Sequence, residues 1–147
     1  MYVPAAFSVT DPEQLHDFIR SHSFAILVSP GESSDSPPIA SHLPLLLRIN
    51  DDGTIRLNGH MAKTNSQWRL ADAQNVLAVF SGPHAHISAG WYDEQNVVPT
   101  WNYVTVHVTG KLRIERDPDR LRELLEETQS VMQSGSSEGW ERRPMYR

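Results

Sequence analysis

Gly59-His60-Met61-Ala62-Lys63-Thr64-Asn65-Ser66-Gln67-Trp68-Arg69 is the stretch from which the rest of the chain is read. Residues 54–58 before it have the pattern of a strand, and the stretch itself opens a short helix that runs to about residue 73. Thr64 followed three residues later by Gln67 has capping-box spacing, in which two side chains satisfy the first free N–H groups of a helix. The remaining free N–H groups, the positive helix end and the Lys63 ammonium would then converge, an arrangement suited to a phosphate monoester carrying nearly two negative charges. The stretch reads as an anion cradle. A lone lysine after a strand is more often a solvated surface group, so the reading needs support from elsewhere in the chain.

Magnitudes say what that support must be. A helix N-terminus contributes about 0.3–1 kcal/mol to a bound anion, and up to about 2 kcal/mol when partly buried. Micromolar affinity needs roughly 8 kcal/mol. Burying about 200 Å² of a planar ring adds on the order of 5 kcal/mol before association costs. A working cradle therefore requires aromatic surface as well. The four tryptophans, Trp68, Trp91, Trp101 and Trp140, exceed what a core of this size needs. Trp101 lies between Pro99-Thr100 and Asn102-Tyr103, so an aromatic face, a hydroxyl and an amide meet at a strand start. That combination suits a flat heteroaromatic ring with polar edges.

A chain of 147 residues fits a single domain, large enough for a core but small enough that a deep cleft would call for a second subunit. Lys plus Arg number 13 against 18 Asp plus Glu, a formal charge of -5, which offers duplex DNA no electrostatic footprint. Arg142, Arg143 and Arg147 form too small a cluster to change that. The absence of cysteine excludes disulfides, thiolate metal sites and cysteine nucleophiles. With neither a signal-like N-terminus nor a membrane-length apolar run, the chain is expected to be soluble and cytoplasmic. Among seven histidines, His84 and His86 alternate on one strand face, but a tetrahedral site wants further ligands, and no metal is expected. His42, His60 and His107 are expected to be buried and hydrogen-bonded, or to line the cleft. Gly135-Ser136-Ser137-Glu138-Gly139 has Gly-x-Ser-x-Gly spacing, but it follows a predicted helix and not a strand, so it makes no nucleophile turn and a Ser-His-Asp hydrolase is set aside.

In chain order, residues 1–7 read as an extended arm and Thr10 caps a helix with Pro12 in its first turn, Leu15, Phe18 and Ile19 facing inward. Strands follow over residues 24–29, 39–49 (with Pro44 at a bulge or edge) and 54–58, the last two joined by a turn at Asp51-Asp52-Gly53. Residues 31–38 are a loop. Residues 76–80 form a core strand, a turn falls at Ser81-Gly82-Pro83, and residues 84–88 alternate as a further strand. Residues 99–114 make the longest strand, bending at Gly110. A last helix starts at Asp117-Pro118 with Leu121, Leu124, Leu125 and Val131 inward, and breaks from Ser130 onward. The whole suggests a small, mostly antiparallel β-barrel flanked by helices.

Met1-Tyr2-Val3-Pro4, Ala40-Ser41-His42-Leu43-Pro44, Gly59-His60-Met61-Ala62-Lys63 with Asn65 and Gln67-Trp68, Phe80-Ser81-Gly82-Pro83-His84-Ala85 and Val98-Pro99-Thr100-Trp101-Asn102-Tyr103 with Val106-His107-Val108 together resemble the PaiB family in order and spacing. The resemblance implies an FMN-binding split β-barrel of the pyridoxamine-phosphate-oxidase-like kind, a homodimer with flavin at the subunit interface, and a role as a negative transcriptional regulator. It implies that Gly59, His60, Lys63 and Thr64 hold the FMN phosphate with Gln67 and Trp68 beside it, and that Trp101, Asn102 and His42 meet the ring edge. Two departures stand out: Ser66 replaces the family's usual proline, and residues 1–147 are expected to be a single split-barrel domain that lacks the C-terminal extension the resemblance implies. Two other functions stay open, an FMN-dependent oxidoreductase of flavin-reductase type and a cofactor-free dimeric binding module.

Overall fold

The computed structural model describes residues 1–94 and 96–134. Helix α1 (Pro12–Ser21) begins where the Asp11 carboxylate accepts the Glu13 N–H at 3.1 Å and Pro12 fills a first-turn position that needs no N–H. The cap is thus Asp11, one residue later than the expected Thr10. Six strands follow: β1 (Phe24–Ser29), β2 (Ile39–Pro44), β3 (Leu46–Ile49), β4 (Ile55–Asn58), β5 (Asn75–Ile87) and β6 (Thr100–Lys111). A short helix α2 (Gln67–Leu70) separates β4 from β5, and α3 (Pro118–Ser134) follows β6.

All pairing is antiparallel. One sheet has the order β2-β1-β5-β6, and β3 with β4 makes a second. The single strand expected over residues 39–49 breaks after Pro44, which has no N–H to donate to the ladder; the next N–H, of Leu45, instead reaches the Ser23 carbonyl at 2.8 Å as the chain crosses to the second sheet. The turn expected at residues 81–83 is absent. β5 runs straight through it, accommodating Pro83 by a register shift between Ser81 and His84. Gly110 makes no bend and pairs with Val76, one residue before β6 ends.

The core lies between the two sheets and α1. Ala25 and Leu27 of β1, Leu43, Leu45 and Leu47, Ala78 and Phe80 of β5, and Ile19 of α1 make one buried cluster, with Val106 and Val108 packed on it. Helix α3 continues to Ser134, past the expected break. Leu121, Leu125 and Val131, expected inward, are 37%, 46% and 46% exposed. Among the described side chains of that helix the buried one is Thr128, whose hydroxyl donates to the Leu124 carbonyl at 2.7 Å, and an Arg48–Glu127 ion pair ties the helix to β3. Trp140 and the Arg142, Arg143, Arg147 cluster lie outside the described residues.

The fold is thus mostly antiparallel β with flanking helices, as expected. Strand pairing among the described residues leaves β2 and β6 as sheet edges and does not close a barrel. No described helix is long and apolar enough to cross a membrane. One feature of the sheet bears on the site. β1 stops at Phe24, two residues before Ile26, the partner of Val79, whereas β5 continues to Ile87. Residues 82–87 and the facing part of β6 therefore project past β1 as a two-stranded arm.

Candidate functional site

The loop between β4 and α2 is pinned to the sheet at several points, and each pin can be traced to a residue. At Gly59 an added Cβ would stand 2.6 Å from Leu45 Cδ2 and 3.0 Å from the Pro44 carbonyl oxygen, so glycine lets the chain leave β4 flat against the corner between β2 and β3. Asn65 bridges two elements: its Nδ2 donates to Ser41 Oγ on β2 at 2.9 Å, and its Oδ1 accepts the Gln67 N–H at 2.9 Å. The Trp68 Nε1–H holds the Lys63 carbonyl at 3.2 Å, and the Arg69 guanidinium lies 4.8 Å from the centre of the Trp68 ring.

Gln67 is turned into the core. Its side chain is fully buried, and Nε2 lies 3.1 Å from each of the Leu27 carbonyl, Ser29 Oγ and the Ile39 carbonyl. The expected capping box between Thr64 and Gln67 is therefore not formed. Its reciprocal bond requires the Gln67 side chain to fold back along the helix, and the three acceptors of β1 and β2 hold that side chain elsewhere. Asn65 supplies the cap instead. Helix α2 is a single turn of four residues, so its dipole contributes little, and the positive charge at this place is that of Lys63. Lys63, Thr64 and His60 are exposed, and among the described residues no ion pair engages the Lys63 ammonium.

Trp101 and Asn102 belong to the projecting arm. Trp101 is 55% exposed, faces His86 across the strand pair, and has the imidazoles of His84 and His86 within 5.8 and 5.9 Å of its ring centre. Beside it a shallow groove is lined by Ser81, Gly82, His84, Tyr103 and Thr105. Trp101 lies opposite the fifth residue of β5 beyond Ser81, which is level with the end of β1; that offset is roughly 17 Å at strand rise. The Lys63 loop flanks β2, on the other edge of the sheet. The Lys63 loop and Trp101 thus lie at opposite edge strands of one sheet, Trp101 on the part of β6 that runs past the end of β1. His42, on β2 with its ring 6.3 Å from that of Phe24, is exposed, as are His60 and His107. None of these three histidines is buried, contrary to that part of the sequence expectation, and no metal-binding cluster of His, Asp or Glu is formed among the described residues.

Residues 1–146 match the family described as "Putative FMN-binding domain". The chain belongs to that family. It is 44% identical over 119 residues to the Protease synthase and sporulation protein PAI 2 (PaiB) of Bacillus subtilis, a match covering 80% of this chain and 55% of that one. An uncharacterised protein of Aspergillus fumigatus is 32% identical over 150 residues, covering 80% and 58%, and the uncharacterised protein YKL070W of Saccharomyces cerevisiae is 35% identical over 83 residues, covering 53% and 49%. The PaiB resemblance drawn from the motifs therefore holds. The chain spans about half the length of the curated relatives it matches.

Sequence reading gives Asn65, Ser41 and Ser29 a place in motifs or strands but no role, although they are the polar residues that fasten this loop. A local signal for Asn65 was present. An asparagine two residues before a helix start has the spacing of an Asx turn, the bond it makes to the Gln67 N–H. Nothing local marks Ser29 and Ser41, because their partners come from distant segments.

Proposed function

We propose that this chain is an FMN-binding domain of PaiB type, a homodimeric split barrel with a regulatory role in the cytoplasm. The observation that carries the proposal is a rigidly fastened loop, in a member of an FMN-binding family, that presents a free ammonium and a free hydroxyl at Lys63 and Thr64. Lys63 and Thr64, with the main chain of Gly59 and His60, suit the dianionic phosphate of FMN, since an ammonium and N–H or O–H donors are what such a group requires. Gln67 and Trp68 shape that loop. Bound FMN would supply a redox-active isoalloxazine ring; the residues of this chain hold its phosphate and shield its ring.

The ring partner is best sought on a second copy. Trp101 and Asn102 of the same chain stand on the opposite edge of the sheet from the Lys63 loop, beyond the end of β1, so the arm of the other subunit is the one proposed to meet the ring, with His42 at its edge. Two further observations support association. A two-stranded ribbon is not stable alone in water, yet the arm is exposed on both faces, with Tyr103 at 61% and Val104 at 50%. Trp91, Tyr92 and Val98, in the connection between the arm's two strands, are exposed apolar residues as well. The two open sheets would form the halves of the split barrel. The charge of -5 gives no reason to place duplex DNA directly on this domain.

The test is an absorbance spectrum of the purified protein, followed by titration with FMN and by light scattering. Saturable FMN binding at a mass twice 16.6 kDa is expected. A monomer that fails to bind FMN would overturn the proposal, and steady NAD(P)H oxidation by the loaded protein would replace the regulatory reading with the oxidoreductase one.

A further inference from the structure

Gln67 has four hydrogen-bonding sites, and the structure uses them unequally. The two Nε2 hydrogens face three acceptors drawn from β1 and β2, whereas Oε1 is buried without a hydrogen-bond partner. Reversing the amide would set Oε1 against two carbonyl oxygens, so the orientation is determined by the acceptors. The fold thus engages this side chain through its amide donors, whose acceptors come from two different strands. The backbone N–H of the same residue takes the Asn65 cap, and Asn65 is fastened to Ser41. One residue thus locks the start of α2 to both strands, and Trp68, the next residue, fixes the carbonyl of Lys63.

We infer that Gln67 is a positioning residue: its amide hydrogens clamp the Lys63 loop onto β1 and β2, and it touches no ligand itself. The inference rests on the reading of that loop as the phosphate site. It makes a prediction that a merely space-filling role does not. In Gln67→Glu the carboxylate would face carbonyl oxygens in a buried site, which raises its pKa. Only the protonated form can donate. The clamp should therefore re-form as pH falls, a dependence the wild-type amide cannot show.

The experiment measures FMN and riboflavin affinity of wild type, Gln67→Glu and Gln67→Met between pH 5 and 8, together with amide hydrogen exchange of residues 60–66 in the ligand-free proteins. Gln67→Met, which keeps the volume and loses the donors, should lose about tenfold in FMN affinity at every pH, because the free protein escapes the unpaired acceptors by releasing the loop and FMN binding must restore it at about that cost. Gln67→Glu should resemble it at pH 8 and recover relative to wild type at pH 5, with loop exchange slowing in parallel. Riboflavin should change much less in both. Loop exchange that matches wild type in both variants overturns the inference whatever FMN does. Exchange that quickens while FMN and riboflavin weaken equally reduces Gln67 to a fold-supporting residue and overturns it too. Lys63→Ala, measured alongside, separates the two levels: if it leaves the preference for FMN over riboflavin unchanged, the phosphate reading has failed, and the exchange data still decide whether Gln67 clamps the loop.

Discussion

Replacing Lys63 by alanine removes one exposed ammonium and nothing that packs in the core. The magnitude follows from exposure. At about 4 Å in water a pair of unit charges gains about 1 kcal/mol, so a phosphate bearing nearly two charges gains roughly 2 kcal/mol; lost side-chain freedom and salt screening reduce this to about 1–2 kcal/mol. FMN affinity should fall by roughly 5- to 30-fold, whereas riboflavin, which has no phosphate, should change less than about twofold. Lys63→Arg keeps the charge and should recover most of the loss. Fluorescence titrations with both flavins at two ionic strengths provide the assay, and the gap between wild type and Lys63→Ala should narrow in high salt. Equal weakening of FMN and riboflavin, or a loss indifferent to salt, would refute the assignment of Lys63 to the phosphate.

Gly59→Ala puts a methyl 2.6 Å from Leu45 Cδ2 and 3.0 Å from the Pro44 carbonyl, so it should destabilise the fold by about 1–3 kcal/mol in urea unfolding and loosen the Lys63 loop. Phe80→Ala empties the centre of the core, where Phe80 is fully buried, and should cost about 3–5 kcal/mol by the same measurement. Asp52 accepts from the hydroxyl of Thr54 and then from its backbone N–H, and these bonds hold its carboxyl below the usual aspartate range. Because the folded value is depressed, the stabilisation is complete above the unfolded aspartate pKa and is lost as pH falls through the folded one. An NMR titration should place the Asp52 midpoint below that of an unfolded aspartate, and Thr54→Ala should move it back up.

The sequence alone settled the local matters. The apolar run of residues 24–29, the strand at residues 54–58, the Pro12 helix start and the glycine turn at residue 53 are encoded by near neighbours, and the structure reproduces them to within a residue. The chain's family was equally legible, since long motifs in a fixed order carry it. Tertiary structure decided which of two competing partner sets a residue takes. Gln67 has good local reason to cap a helix, but acceptors 28 to 40 residues away hold its amide inside the core, because a buried donor gains more from fixed carbonyls than an exposed one gains from a turn it shares with water. The same holds for β5, where pairing with β6 carries the chain through Ser81-Gly82-Pro83 without turning. It holds for α3 as well, whose leucine pattern predicts an inward face that this fold leaves partly open. Periodicity specifies which face is apolar; only the packed neighbours specify whether that face is covered.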